Sequence, residues 1–121
     1  MFLSGAAIAA PPKKETPADV DTAEGLLTRL DYEGANAVAG KIVTQRGLTH
    51  DQLLRAYEVL AVTSAVLDNE SDARDAFLQV VIMEPEYQVD QNLGPKVSNP
   101  FLEARGSFRA MITKPSLEAA A

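Results

Sequence analysis

The sequence contains no cysteine, only one histidine in 121 residues, and no long apolar run. Without cysteine the chain can form no disulfide, thiolate nucleophile, zinc–thiolate site or iron–sulfur cluster. A helix that spans a bilayer needs about 18 or more consecutive apolar residues. No segment approaches that length, so the sequence predicts no membrane span. The lone histidine, His50, has no second imidazole with which to bind a metal or relay a proton.

Basic residues are few and scattered. The chain has 11 Lys and Arg against 17 Asp and Glu, a formal charge of −6. A protein that binds nucleic acid concentrates Lys and Arg on one face in order to displace counterions from the phosphates. The charge balance therefore predicts no nucleic-acid partner, and it disfavours anionic membrane surfaces for the same reason.

No recognisable motif of catalytic or metal chemistry is present. The acidic residues of 68–72 are spaced like part of a calcium loop, but the glycine and the final glutamate that such a loop requires are missing. The acidic residues of 84–90 have no pattern that would perturb one carboxylate in a cleft. Neither a P-loop nor a G-x-S-x-G elbow occurs. The sequence predicts no enzyme, no cofactor and no metal site, and leaves a small-ligand or metal-binding regulator as the least favoured alternative.

The first ten residues, Met1–Ala10, are small and apolar, and they resemble the end of a secretory signal. Ala7-Ile8-Ala9 matches a cleavage site, although the positively charged start of such a signal is missing. Two interpretations stay open. Residues 1–15 are either the remnant of an export signal, which predicts a periplasmic or otherwise exported protein, or a disordered segment of a cytoplasmic protein.

Apolar residues recur at steps of three and four along the rest of the chain, which predicts five helices. Thr16-Pro17-Ala18-Asp19 reads as the start of the first, with Thr16 as N-cap. Asp31 caps the second, and Gly47 ends it as a left-handed residue. Thr49 and Gln52 form the capping box of the third, which runs to about Leu67.

The fourth helix is predicted from Asn69 to Glu84-Pro85, and the fifth from Pro95 to the Lys114-Pro115 pair. Strand patterns are nearly absent, so the predicted fold is all-α. The predicted domain covers residues 16–112, and residues 113–121 are predicted to be a disordered tail. The third helix is apolar on two sides, which places it in the middle of the domain.

Residues 54–85 carry a further pattern. Their large, small and proline positions are Tyr57, Leu60, Ala61, Ala73, Phe77, Val80 and Pro85. In type and spacing these residues resemble the tetratricopeptide repeat (TPR), a helix–turn–helix of about 34 residues. A degenerate copy precedes it from Thr16, in which Ala35 takes the place of Ala73. Asp19 and Ser64 depart from the pattern, since each stands where a large residue is usual.

The resemblance implies a short stack of two helical hairpins with a C-terminal capping helix. It also implies a non-enzymatic protein–protein interaction module, an adaptor or assembly factor, and the export-like start places this module in the bacterial cell envelope. Repeat proteins generally need about three units for stability. The alternative is therefore a structural subunit or a fragment of a larger multiprotein machine.

The first helices of successive repeats line a concave groove in this family. Carried over to this sequence, the partner-binding positions are Arg55, Glu58, Val59, Val62, Ala65 and Val66. The implied partner is a peptide segment or helix of another protein, with Arg55 available for a carboxylate. In the competing interpretation, the three valines pack on Phe101 and Phe108 of the fifth helix. The connection 86–94 is a second candidate surface, because long loops often carry function.

Overall fold

The computed structural model describes residues 18–120, with side chains described for residues 18–113. The predicted export remnant and the Thr16-Pro17 helix start lie outside this range. The described residues form five α-helices and one 3₁₀ turn and contain no strand, which confirms the all-α prediction. The helices are α1 (Val20–Thr28), α2 (Tyr32–Ile42), α3 (His50–Val66), α4 (Glu70–Met83) and α5 (Pro95–Ala120), and the 3₁₀ turn is Gln91–Leu93. Within this range no helix combines the length and hydropathy required to cross a bilayer.

Side chains close the first turns of α2 and α3 as predicted. The Asp31 carboxylate accepts a hydrogen bond from the backbone of Gly34 at 3.0 Å. The Thr49 hydroxyl accepts from the Gln52 N–H at 3.1 Å, and the Gln52 amide oxygen accepts from the Thr49 N–H at 3.0 Å. Both bonds of the capping box are therefore made, and they satisfy backbone donors that lack partners inside the helix.

Helix α1 begins later than the sequence indicated. Asp19 is its N-cap, with the carboxylate accepting from the Thr22 N–H at 2.8 Å, so the predicted N3 position for Asp19 was wrong. Helix α2 ends at Ile42, ahead of Gly47. Gly47 does have a left-handed backbone, with φ of +80°, but it lies in the connection to α3.

Helix α5 starts at Pro95, as predicted, and continues through Pro100 and Pro115 to Ala120. The sequence had placed its end at the Lys114-Pro115 pair. A proline inside a helix removes one backbone hydrogen bond. The bonds of the neighbouring turns remain, and the helix here extends past both prolines.

Helix α3 lies at the centre of the stack, because it contacts all four other helices. Consecutive helices pack as hairpins, and α1 and α5 also contact α3. No Cα atom of α2 lies within 8 Å of one in α4. Residues of α1, α3 and α5 line one cleft, and residues of α2, α3 and α4 line another.

Two clusters of buried side chains share α3. One joins α1, α2 and α3 around Ile42 and Val59, and the other joins α3, α4 and α5 around Phe77 and Phe101. The rings of Phe77 and Phe101 meet edge to face with centroids 5.5 Å apart. Such a pair adds about 0.5–1.5 kcal/mol to the burial of its area. Leu60 packs against both clusters and makes the core continuous through α3.

Candidate interaction groove

A cleft runs along α3 between α1 on one side and the 3₁₀ turn with the start of α5 on the other. Its volume is about 510 Å³. Apolar side chains dominate its wall, together with one aspartate and one asparagine. The lining residues are Leu27, Leu30, Tyr32, Val62, Val66, Asp90, Asn92, Leu93 and Val97. We call this cleft the groove.

The six positions carried over from the repeat pattern divide into three groups. Val62 and Val66 line the groove. Val59 is 3% exposed and Ala65 is 1% exposed, so both contact neighbouring helices. Glu58 and Arg55 are half-buried on the same face of α3, one turn and two turns before Val62 respectively.

The valines of α3 do not all pack on α5. Val62 belongs to the cluster that contains Phe101, and Val66 and Phe108 pack against that cluster. Val59 instead belongs to the cluster formed with α1 and α2. The competing interpretation of the three valines therefore accounts for two of them, and Val62 and Val66 contribute to the core and to the groove wall together.

Arg55 is engaged by carboxylates of the protein itself. Its Nη2 and Nε atoms lie 2.6 and 3.0 Å from the two carboxylate oxygens of Glu24, which is a bidentate ion pair. Nη2 also lies 3.1 Å from Asp21, and Nη1 lies 3.2 Å from Asp51. The hydrogen bonds that Arg55 donates to Glu24 and then to Asp51 raise the pKa of Arg55 above its ordinary value. Arg55 thus joins α1 to α3. Its N–H donors are engaged by these three carboxylates of the protein, which leaves them oriented away from a partner's carboxylate.

Glu58 faces Tyr87, which lies in the connection between α4 and α5. Burial raises the pKa of the Glu58 carboxyl, and hydrogen bonding with the Tyr87 hydroxyl partly offsets this effect. Burial, followed by the nearby Glu58 charge, also raises the pKa of Tyr87. The Tyr87 ring packs edge-on against Phe101 with centroids 5.7 Å apart. Tyr87 therefore holds the connection against α3 and α5.

The connection 86–94, which the sequence indicated as a separate candidate surface, forms one wall of the groove. Val89 is buried, while Leu93 is 42% exposed and faces the cleft. Asp90 accepts from the Asn92 N–H at 2.9 Å and caps the 3₁₀ turn. Asp90, Asn92 and Leu93 of the connection thus share one cleft with Val62 and Val66, while Gln88, Gln91 and Gly94 line a separate cleft against α5.

Leu30 continues the three- and four-residue spacing of the apolar residues of α1, but it lies outside that helix and outside the core. It follows the end of α1 with φ of +64°, and 67% of its surface is exposed. Leu30 and Leu93 border the groove from opposite walls. The sequence does not identify either leucine as a groove residue, because an apolar residue beside a turn is equally consistent with the edge of a core.

The cleft between α2 and α4 has a different character. Its volume is about 370 Å³, and its wall carries Asn36, Ser64, Asp72 and Asp75. The Asn36 amide donates to the Thr63 hydroxyl at 2.9 Å and to the Ser64 hydroxyl at 3.1 Å. Ser64 stands where the repeat pattern has an aromatic residue, and its small side chain leaves room at this point.

Among the side chains that the structure describes, no three carboxylates or imidazoles come together as a metal site. His50 is exposed at the first position of α3. No protein-family model, curated protein or solved structure matches the chain.

Proposed function

We propose that this protein is a non-enzymatic protein–protein interaction module, built as a short TPR-like stack, that binds a segment of another protein in its groove. The observation that supports this most directly is the groove itself, in which leucines from two separate elements lie exposed above a valine floor. Isolated apolar residues are normal on a protein surface, but a contiguous apolar cleft with a polar rim is typical of a binding site.

The arrangement of the helices also supports the proposal. A partner laid along α3 meets α1 on one side and the 3₁₀ turn with the start of α5 on the other, so three parts of the chain that are distant in sequence contribute to one surface. The groove wall is mostly apolar, and Tyr32, Asp90 and Asn92 are its polar side chains. Such a surface can recognise a partner through its shape and through apolar contacts.

The experiment is affinity capture from a bacterial envelope extract with three forms of the protein. We expect wild type and Ile82→Lys to recover the same partner and Leu93→Lys to lose it. Ile82 and Leu93 are each 42% exposed, but Ile82 lies on α4 outside the groove, which makes it a matched control. Circular dichroism verifies that both variants fold. Equal recovery with all three forms would contradict the groove as the binding surface.

The envelope location that we propose depends on Met1–Ala10, which lie outside the described residues. Fractionation of cells that express the gene from its own start, with detection of the protein in periplasm or cytoplasm, tests this part independently. A protein found only in the cytoplasm would remove the envelope from the proposal and leave the interaction module standing.

A second function, a structural subunit of a larger assembly, is favoured by α5. This helix has 26 residues against 14 in α4, which corresponds to about 39 Å against 21 Å of length. Its exposed apolar residues include Leu102, Met111 and Ile112. We expect sedimentation velocity to decide: a stable monomer over a wide concentration range argues against this function, and concentration-dependent assembly argues for it.

A further inference from the structure

Leu30 occupies a backbone position that favours glycine. The Leu30 N–H donates to the Leu27 carbonyl and the Asp31 N–H donates to the Leu26 carbonyl, both at 2.9 Å. This pair of bonds is the Schellman motif, whose left-handed residue is most often glycine because a β-carbon is disfavoured there. The backbone conformation of Leu30, with φ of +64°, disfavours leucine, and its side chain is not stabilised by burial because 67% of its surface is exposed.

Contact with another molecule would give the Leu30 side chain a role. Leu30 and Leu93 stand on opposite walls of the groove, and Val62 and Val66 lie between them. The volume of about 510 Å³ falls in the range of sites that bury drug-sized or peptide side-chain groups. The groove therefore has the size and the apolar wall to take one or two large side chains.

Acidic groups lie beside this apolar surface, and of the two cations next to its lining residues in sequence, Arg29 and Lys96, the second is paired with Asp68 at 3.0 Å. Asp90 is part of the groove wall. Glu58 lies one turn before Val62 on α3, and Glu24 lies one turn before Leu27 on α1. Around Arg55 three carboxylates face one guanidinium, which leaves two negative charges (3 − 1 = 2). A cationic partner is attracted by this field, and an acidic one is repelled.

We propose that the groove binds a basic segment of a partner protein, in which one or two large aliphatic or aromatic side chains are flanked by Lys or Arg. The apolar side chains enter between Leu30 and Leu93, and the cations face Asp90, Glu58 and Glu24. This inference rests on the proposed interaction function and adds the chemistry of the partner.

The test is selection of peptides from a random displayed library on the full chain, followed by fluorescence anisotropy with the enriched peptides. We expect them to combine Leu, Ile or Phe with a net positive charge, and to lose affinity as salt increases. Replacement of their Lys and Arg by Gln should weaken binding about tenfold or more. Enriched peptides that are neutral or acidic would overturn the proposed partner chemistry.

Leu30→Gly is the informative variant, because it is expected to improve folding while it impairs binding. Removal of the left-handed strain should raise Tm by roughly 4–8 °C, and loss of the side chain should weaken peptide binding about tenfold. A weaker complex formed by a more stable protein cannot be attributed to unfolding.

Asp68→Gly is the matched control. Asp68 holds the equivalent Schellman position after α3, with φ of +67°, and it lies outside the groove wall. We expect this variant to raise Tm by less than Leu30→Gly, because aspartate tolerates the left-handed region better than leucine and its ion pair with Lys96 at 3.0 Å is lost, and to change peptide affinity less than about twofold. A loss of affinity equal to that of Leu30→Gly would overturn the role of Leu30.

The outcomes separate the two proposals. Peptides that bind Leu30→Gly as well as wild type would overturn this inference while the interaction function stands, since binding would then occur elsewhere. A library that yields no enriched peptide would overturn both. Concentration-dependent dimerisation that Leu30→Gly abolishes would identify a second copy of the chain as the occupant and overturn the proposed partner.

Discussion

At the residue scale, a few half-buried polar side chains hold the elements around the groove together. Arg55 ties α1 to α3 through Glu24. Glu58 and Tyr87 join the α4–α5 connection to α3. All of these residues lie beside the groove rather than in its apolar floor. They position its walls, and their charges determine what the groove attracts.

Glu58 gives a prediction about pH. Its folded pKa is raised by burial above the ordinary value of 4.5, so the folded protein binds this proton more tightly than the unfolded chain. Stability from this group is complete below the ordinary pKa and is lost as pH rises through the folded pKa. Glutamine stays neutral at every pH, so it carries no charge that burial disfavours. We therefore expect Glu58→Gln to melt at a higher temperature than wild type at pH 7, with the difference shrinking towards pH 4.

Thermal melts monitored by circular dichroism at pH 4, 5, 6 and 7 measure this effect. Glu86→Gln removes an exposed carboxylate from the same connection and controls for the change in net charge. A difference between Glu58→Gln and wild type that grows towards low pH would show that the sign is wrong.

At the element scale, helix starts carried the clearest local information. The capping box at Thr49 and the cap at Asp31 were both predictable, because they depend on residues within one turn of one another. The end of α2 and the continuation of α5 past Pro115 were not. A helix end depends on whether the last turns pack against neighbours, which local residue types do not encode.

The Thr49 cap gives a prediction about α3. Thr49→Ala removes the hydroxyl that accepts from the Gln52 N–H at the start of the central helix. We expect the free energy of unfolding to fall by about 1 kcal/mol, since loss of an N-cap typically has this cost. Urea denaturation measures it. Thr113→Ala, an exposed position in α5, serves as control and should change stability by less than about 0.5 kcal/mol.

At the scale of the whole molecule, the two core clusters share α3 and so are expected to unfold together. Leu60 packs against both, and Phe77 is fully buried in the cluster formed with α4 and α5. A shared central helix couples the hairpins, because neither can lose its packing on α3 without exposing the other. The stack should therefore behave as one cooperative unit although it has only two hairpins and a final helix.

Phe77→Ala tests this coupling. Removal of a fully buried phenylalanine should cost about 3–5 kcal/mol. We expect tyrosine fluorescence and far-UV circular dichroism to report one common transition in wild type and in the variant. Ile82→Ala on the exposed side of α4 is the control for helix propensity. Two separated transitions would show that the hairpins unfold independently.

The sequence by itself determined the helical class, the central position of α3 and the small Ala61 and Ala73 at the α3–α4 contact, both fully buried. These follow from periodicity and residue size, which are local properties. It also placed Val62 and Val66 on the face that lines the groove.

Only the tertiary structure decided which side chains of that face remain accessible. Val59 and Ala65 are buried in the core, and Arg55 forms an ion pair with Glu24. Leu30 and Leu93 form the two walls of the groove. The period of a helix gives the direction in which a side chain points. The period does not determine which neighbouring helix or connection covers that side chain, because such contacts join residues far apart in sequence.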